Sequence, residues 1–368
     1  MRVALVHYWL TGSRGGEKVL EALCRLFPEA DIFTLFYEPE SVAPLIRARN
    51  VHASFLNPLR RWYRALLPLM PMALESFDLR GYDLVISSES GPAKGVITSS
   101  STRHLCYCHT PMRYLWELYP AYLNEYRGSR VTQALMMPLT NYLRIWDAAT
   151  ALRVDKFIAN SRNVKRRIWK TYRRPSRVVY PPVAVSEFHF KPSEDYFVAV
   201  AEMVACKRLD QAVRVFARNG RRLKVVGDGP EYRRLRRLAG PNVEFCGRVS
   251  DPELRQLYAH SSALIVPGEE DFGITMVESL ASGKPVIALG RGGALEIVAP
   301  GCGVLYRDAS DAALDRALRD FDDREGEFDP AFLEQRASRF SEMDFEDNFL
   351  CALGGPQRLT SAVSAGRV

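Results

Sequence analysis

Short apolar runs alternate with amphipathic stretches along most of the chain. In the first half the runs are RVALVHY, DIFTLFY, DLVISS, HLCYCH, KFIANS and RVVYPPV; in the second they are YFVAVA, RLKVVGD, NVEFCGR, ALIVPG, PVIAL and GVLYR. Near-continuous apolar runs of this length read as strands buried on both faces, the signature of a parallel sheet. Between them lie segments such as KRLDQAVRVFARNG, whose apolar residues recur at i, i+3 and i+4 as on one face of a helix. The alternation predicts two doubly wound α/β domains. Pro181-Pro182 and the following AVSEFHFKPSED read as a linker, polar and holding a third proline. The boundary is accordingly placed near residue 190, giving domains 1–190 and 191–340. Two such domains leave a cleft at the carboxyl ends of their strands, where ligands usually bind.

Composition narrows the picture. A chain of 368 residues is too long for one ordinary core. With 47% hydrophobic and 25% charged residues it is neither collagenous nor disordered. No apolar run approaches the roughly 18 residues of a membrane span. The opening MRVALVHYWL has no small-residue cleavage site and reads as a buried first strand, not a signal peptide. The seven cysteines are scattered and odd in number, as expected of reduced thiols in a cytoplasm.

The net charge of +7 is unevenly spread. Residues 1–190 carry 26 Lys and Arg against 15 Asp and Glu, whereas residues 191–368 carry 24 against 28. A basic first half suggests an anionic partner: nucleic acid, a phospholipid surface or a phosphate-bearing substrate. Residues 47–64 hold Arg47, Arg49, Arg60, Arg61 and Arg64 with no acid, interleaved with Trp62 and Tyr63. That mixture suits an anionic membrane surface. Lys156 to Arg177 adds nine basic residues and no acid. A solvated charged surface explains either run as simply. Nucleic acid is not expected, because no RNA-binding or zinc module is visible.

Five stretches carry candidate chemistry. In LTGSRGGEKVLEALCRLF, Gly12, Gly15 and Gly16 precede an amphipathic helix, so backbone amides could approach an anion; a tight strand–helix turn is the alternative. In HLCYCHTPMRYLW, His104, Cys106 and Cys108 share one strand face and His109 falls at the sheet's carboxyl edge. No second cluster completes a zinc site, so no metal is expected. Lys207 and Arg208 in AEMVACKRLD lie at a strand-to-helix junction, where a cation can neutralise phosphate. Gly227-Asp228-Gly229-Pro230 makes a sharp turn, with Pro230 at a first helical position, but lacks the third glycine of a dinucleotide fingerprint. In PGEEDFGITMVESLASGKPVIAL a helix starts near Gly273. It leaves the amides of Phe272, Gly273 and Ile274 as donors, with Glu278 one turn on, where a carboxylate can hold a cis-diol.

Glu270-Asp271-Phe272-Gly273 followed by Glu278 resembles the E-x7-E element of retaining glycosyltransferases of family 4. The resemblance runs through GGEKV, His109, VDKFIANSRNVKRRI, YPPV, CKRLD, VVGDGPE, FCGRVSDPEL and PGEEDFGITMVESLASGKPVIA. It implies the GT-B fold: two facing Rossmann-like domains, the first binding acceptor and the second a nucleotide-sugar, with a C-terminal segment, 341–368, crossing back to the first. By resemblance Glu270 contacts the donor sugar, Glu278 the ribose and Lys207 the diphosphate. Amides near Gly15 and Gly16, and at Phe272 to Ile274, meet phosphate and sugar. His109 reaches the transferred sugar, and Gly227, Gly229, Arg248 and Val249 lie near the nucleoside. No metal or other cofactor is implied.

The chain departs from the family at one place. Where the family commonly has S-R-L-x-x-x-K, this sequence reads AEMVACK, so Glu202 replaces a second diphosphate cation. Either Glu202 turns away or pairs with an arginine, or another basic residue, Arg208 or Arg14, supplies the missing charge; the alternative is a catalytically silent nucleotide-sugar-binding protein. The leading expectation is a retaining hexosyltransferase acting by front-face displacement. GDP-mannose is the preferred donor and a lipid-linked saccharide the acceptor, in cell-surface polysaccharide synthesis. Arg60, Arg61, Trp62 and Arg64 are its expected membrane or acceptor surface, and its place is the cytoplasm, peripheral on the inner face of the plasma membrane.

Overall fold

A computed structural model of the chain describes residues 1–12, 15–63, 65–89, 91–120 and 130–354, with side chains of the helix beginning at Arg130 described from residue 136. The described residues form two compact units. One comprises Met1–Tyr180 and the part of the closing helix from Phe345; the other is Pro181–Asp344.

The first unit is a seven-stranded parallel sheet. Its strands are β1 (Val3–His7), β2 (Asp31–Thr34), β3 (Val51–Ala53), β4 (Leu84–Glu89), β5 (Arg103–Cys108), β6 (Lys156–Ala159) and β7 (Ser176–Val178), in the order β3-β2-β1-β4-β5-β6-β7. The central strands are fully or almost fully buried, as their unbroken apolar runs require. One face packs Leu5, Ile86, Leu105 and Tyr107 against Val19, Leu20 and Leu23 of the helix Gly15–Leu26. The other packs Val6, Val85 and Phe33 against Met70, Leu74 and Trp146.

The second unit repeats the plan with β8 (Phe197–Val200), β9 (Leu223–Val226), β10 (Val243–Gly247), β11 (Leu264–Val266), β12 (Val286–Leu289) and β13 (Gly303–Tyr306), in the order β10-β9-β8-β11-β12-β13. In both sheets the order reverses beside the first strand, between β1 and β4 and between β8 and β11. Such reversals leave a crevice at the strands' carboxyl ends. Both halves therefore have the doubly wound architecture that the alternating pattern predicts, and the fold is GT-B.

Contacts divide the chain at Tyr180/Pro181, where the proline pair of the expected linker begins. The segment after the two prolines is polar in composition but anchored in the second unit. Val183 donates its amide to Phe340 O at 3.0 Å, and Phe188 packs edge-on to Tyr258. Pro230 also differs from expectation: it sits in the turn before the helix Tyr232–Leu238, whose cap is Glu231.

The helix Glu342–Leu353 returns the chain to the first unit, where Phe345, Phe349, Ala352 and Leu353 are buried in its core. Three cations meet its carboxyl end. Arg103 Nη1 reaches Leu353 O and Lys156 Nζ reaches Ala352 O, both at 2.6 Å, and Arg177 Nη1 reaches Cys351 O at 3.3 Å. They satisfy terminal carbonyls and oppose the negative end of the helix dipole. Among the described residues no helix is long and apolar enough to cross a membrane.

Candidate active site

In the second unit the loops leaving β8 and β11 carry the cation and the carboxylate that the sequence singles out. After β8 the chain is pinned to the next loop: Ala201 N donates to Val226 O at 3.1 Å and Met203 N to Asp228 O at 2.9 Å. Gly227, at φ 125°, permits this approach, since a Cβ there would stand 2.1 Å from Ala201 O. Gly229 is likewise pressed on Met203 O. The glycines thus let the loops after β8 and β9 pack closely, in place of the dinucleotide fingerprint they superficially suggest. Glu202, half-buried, lies within this pinned segment.

Lys207 ends a short 3-10 turn, and its Nζ donates to Glu270 Oε2 at 2.5 Å. Burial lowers the ammonium pKa, but the Glu270 carboxylate outweighs it and holds the group above its ordinary value. Arg208 is directed elsewhere. With φ 53° it caps the helix Leu209–Asn219, and its guanidinium donates to Ala309 O at 2.5 Å. Of the two basic residues named as possible replacements for the missing diphosphate cation, Arg208 is therefore engaged with a carbonyl, and Arg14 lies outside the described residues.

Glu270 is held from below by a loop that sequence reading passed over. Gly293 N donates to Glu270 O at 2.8 Å, and Glu270 pairs with Gly292 in an isolated bridge. A Cβ on Gly293 would lie 1.8 Å from Phe272 O, so only glycine fits. The signal was present in GRGGALE, a glycine pair opening a short helix. Phe272 is buried and packs edge-on to Phe340. Gly273, at φ 104°, starts the helix Ile274–Ala281, and no side chain caps its first-turn amides. Glu278 is not a solvated face residue: it is 3% exposed, and its Oε2 accepts from the Tyr258 hydroxyl at 3.0 Å. Arg248, exposed, and Val249 lie between β10 and the helix Asp251–Ala259.

In the first unit Gly15 and Gly16 open the helix that follows β1. His109 directly follows β5, with its Nε2 2.9 Å from Ser88 Oγ. Burial, and then the neighbouring His7, push its imidazole down to about 3, so it is neutral at ordinary pH. A Cβ on Gly16 would lie 3.7 Å from His109 Nε2, which brings these two expected site residues together. His104 is buried against Ser87 Oγ at 3.0 Å, and Cys106 and Cys108 are buried thiols.

The His109 amide donates to Glu89 O at 2.6 Å, and Glu89 belongs to a buried ion cluster with no signal in the sequence. Lys94 Nζ pairs with Asp147, and lies 3.6 Å from Glu89 Oε1. Trp116 Nε1 donates to Asp147 at 2.7 Å and Tyr172 Oη at 3.0 Å. Burial pushes the Glu89 carboxyl up to about 7, with Lys94 opposing and Asp147 adding. The cluster ties the loop after β4 to the helices Arg130–Thr150 and Arg162–Tyr172.

The expected surface residues Arg60, Arg61 and Trp62 form part of a 3-10 segment, Asn57–Trp62. Trp62 is 70% exposed, beside exposed Phe55 and Leu59, while Arg60 lies 4.0 Å from Glu38. Arg64 lies outside the described residues. Arg162, Lys165, Arg166 and Trp169 line a second basic groove on the same unit.

The chain matches two family models in succession: Glycosyltransferase Family 4 over residues 13–187 and Glycosyl transferases group 1 over residues 185–334. It is 29% identical over 152 residues to an uncharacterized glycosyltransferase of Methanocaldococcus jannaschii, covering 40% of this chain and 43% of that one. It is 34% identical over 102 residues to a GDP-mannose-dependent alpha-mannosyltransferase of Mycolicibacterium smegmatis, covering 27% of each. These matches thus span less than half the length of either relative. Its fold is similar to that of Anabaena HepE in complex with UDP and glucose, with TM-score 0.69 and 16% identity over 95% of this chain and 98% of that one.

Proposed function

The chain belongs to glycosyltransferase family 4, and we propose that it transfers a hexosyl group from a nucleoside-diphosphate sugar to an acceptor hydroxyl. The observation that carries this reading is the Lys207–Glu270 pair, set at the β8/β11 reversal beside the uncapped start of the helix Ile274–Ala281. A fixed cation there compensates charge on a departing diphosphate, in surroundings where it needs no reorganisation. The helix start at Gly273 and Ile274, with no side-chain cap, adds partial positive charge. Glu270 accepts hydrogen bonds from the sugar, and Glu278, oriented by Tyr258, from the ribose. No carboxylate is assigned as a covalent nucleophile. Transfer then proceeds with retention by front-face displacement, the departing phosphate taking the acceptor's proton.

Mannose from GDP-mannose is the preferred donor, supported by the mannosyltransferase among the relatives. The acceptor is a lipid-linked saccharide, supported by the exposed Trp62, Leu59 and Phe55 beside Arg61 and by the basic groove around Trp169. Glu202 keeps a second reading in place: a protein that binds the sugar nucleotide without turning it over. A thermal-shift series with GDP-, UDP- and ADP-sugars identifies the donor, and release of nucleoside diphosphate separates the two readings. No shift with any of them contradicts both.

A further inference from the structure

His7 ends β1, at the reversal point of the first sheet, and the parallel register sets it opposite Ser88 of β4. Residues in register on adjacent parallel strands share a face. His7 thus shares its face with Ser88, whose hydroxyl meets His109 Nε2 at 2.9 Å. The same point is crowded from the helix above. A Cβ on Gly16 would stand 3.0 Å from Tyr8 Oη, 3.5 Å from His7 Cε1 and 3.7 Å from His109 Nε2. Glu17, the next residue, is buried with Oε1 3.8 Å from His7 Nε2.

His7 is fully buried, yet neither of its ring nitrogens has a hydrogen-bond partner among the described residues. In either protonation state a buried imidazole then keeps an unsatisfied N–H, which an apolar side chain of similar size would not. A core that needed only volume would be better served by leucine. Groups that cost stability and sit among site residues are the ones a site retains for their chemistry.

We propose that His7, supported by Glu17, is a positioning residue for the transfer site, acting through its polarity on His109 and on the Gly15–Gly16 turn. The proposal rests on the transferase reading above. His7 does not touch substrate; it fixes, from the strand end below, the imidazole and the turn that do. Gly16 leaves room for that arrangement: a Cβ there would crowd the Tyr8 hydroxyl at 3.0 Å and come into van der Waals contact with both imidazoles.

The test compares His7→Leu, His7→Gln and Glu17→Gln with wild type, using GDP-mannose and UDP-glucose as probes and nucleoside diphosphate release as the readout. His7→Leu is expected to melt within about 3 °C of wild type or above it, because unsatisfied nitrogens are removed. Its kcat is expected to fall at least about tenfold, with donor KM within about twofold. His7→Gln, which keeps a hydrogen-bonding group, should recover at least about a third of the wild-type kcat. His7→Leu with kcat within about twofold of wild type overturns the proposal. Equal losses in His7→Leu and His7→Gln with a lowered melting temperature also overturn it, since that marks a packing role. Should His7→Leu not fold, Glu17→Gln decides: a kcat reduced at least about fivefold at unchanged donor KM supports the proposal, and an unchanged kcat overturns it. Wild type that turns over neither probe but shifts in melting temperature with one contradicts the transferase reading itself, and this role with it. Turnover by wild type with an unaffected His7→Leu removes the positioning role alone.

Discussion

Lys207 Nζ and Glu270 Oε2 meet at 2.5 Å across loops that leave the neighbouring strands β8 and β11, sixty-three residues apart in sequence. Each side chain fixes the other, so the ammonium is held in place where the strand order reverses. Lys207→Ala is expected to lower sugar-nucleotide turnover by roughly two orders of magnitude or more, the loss typical of a preorganised charge contact. Glu270→Gln should weaken both the pair and the sugar contact. Steady-state kinetics on the two variants, with melting temperatures to exclude unfolding, check this.

The Gly293 contact gives a backbone prediction. A methyl group at this position would lie 1.8 Å from Phe272 O, and the same residue's amide holds Glu270 O. Gly293→Ala must displace the loop, costing about 2 kcal/mol or more. Urea unfolding should show the loss, and donor affinity should fall with it. A variant of wild-type stability and affinity would contradict the packing described.

Tyr258→Phe removes the hydroxyl that donates to buried Glu278. Leaving a buried acceptor short of a donor costs about 1–3 kcal/mol, readable as a lowered urea midpoint. If Glu278 holds the ribose, donor KM should rise severalfold while kcat changes little.

Glu89 predicts a pH dependence. Folding raises its carboxyl from 4.5 to about 7, chiefly through burial, so the folded chain holds a proton that the unfolded chain releases between those values. Its contribution to stability is therefore present below about pH 4.5 and is lost as pH rises through about 7. Glu89→Gln keeps the neutral shape and removes the dependence. Relative to wild type, its urea midpoint should be higher at about pH 8 than at about pH 5. A difference between variant and wild type that does not change with pH would contradict the assignment.

The surface around Trp62 predicts salt-sensitive flotation with anionic liposomes, reduced in an Arg61→Ala, Trp62→Ala double variant. Association indifferent to salt and to the substitutions would remove the membrane reading.

The sheets were legible because strands buried on both faces must be apolar throughout, and all six runs of the second half became strands. The short edge strand Val51–Ala53 was not, since only three residues mark it, one part-buried and two exposed. The proline pair marked the division of the chain, but the polar stretch after it was not legible as part of the second unit, where Val183 and Phe188 are buried. At the site, Lys207, Glu270 and Glu278 stood out by type and spacing. Their supports did not: Gly293 acts through backbone proximity, Tyr258 through one hydroxyl, and Lys94, Glu89 and Asp147 are charges that composition alone assigns to the surface.

If Lys207 and Glu270 drive departure of a nucleoside diphosphate, its release depends on Lys207. The direct measurement is nucleoside diphosphate release from GDP-mannose, UDP-glucose and ADP-glucose by wild type and by Lys207→Ala. Wild type is expected to release it from one donor, and the folded variant to lose roughly two orders of magnitude of that rate. Release by Lys207→Ala at the wild-type rate would contradict that role of Lys207.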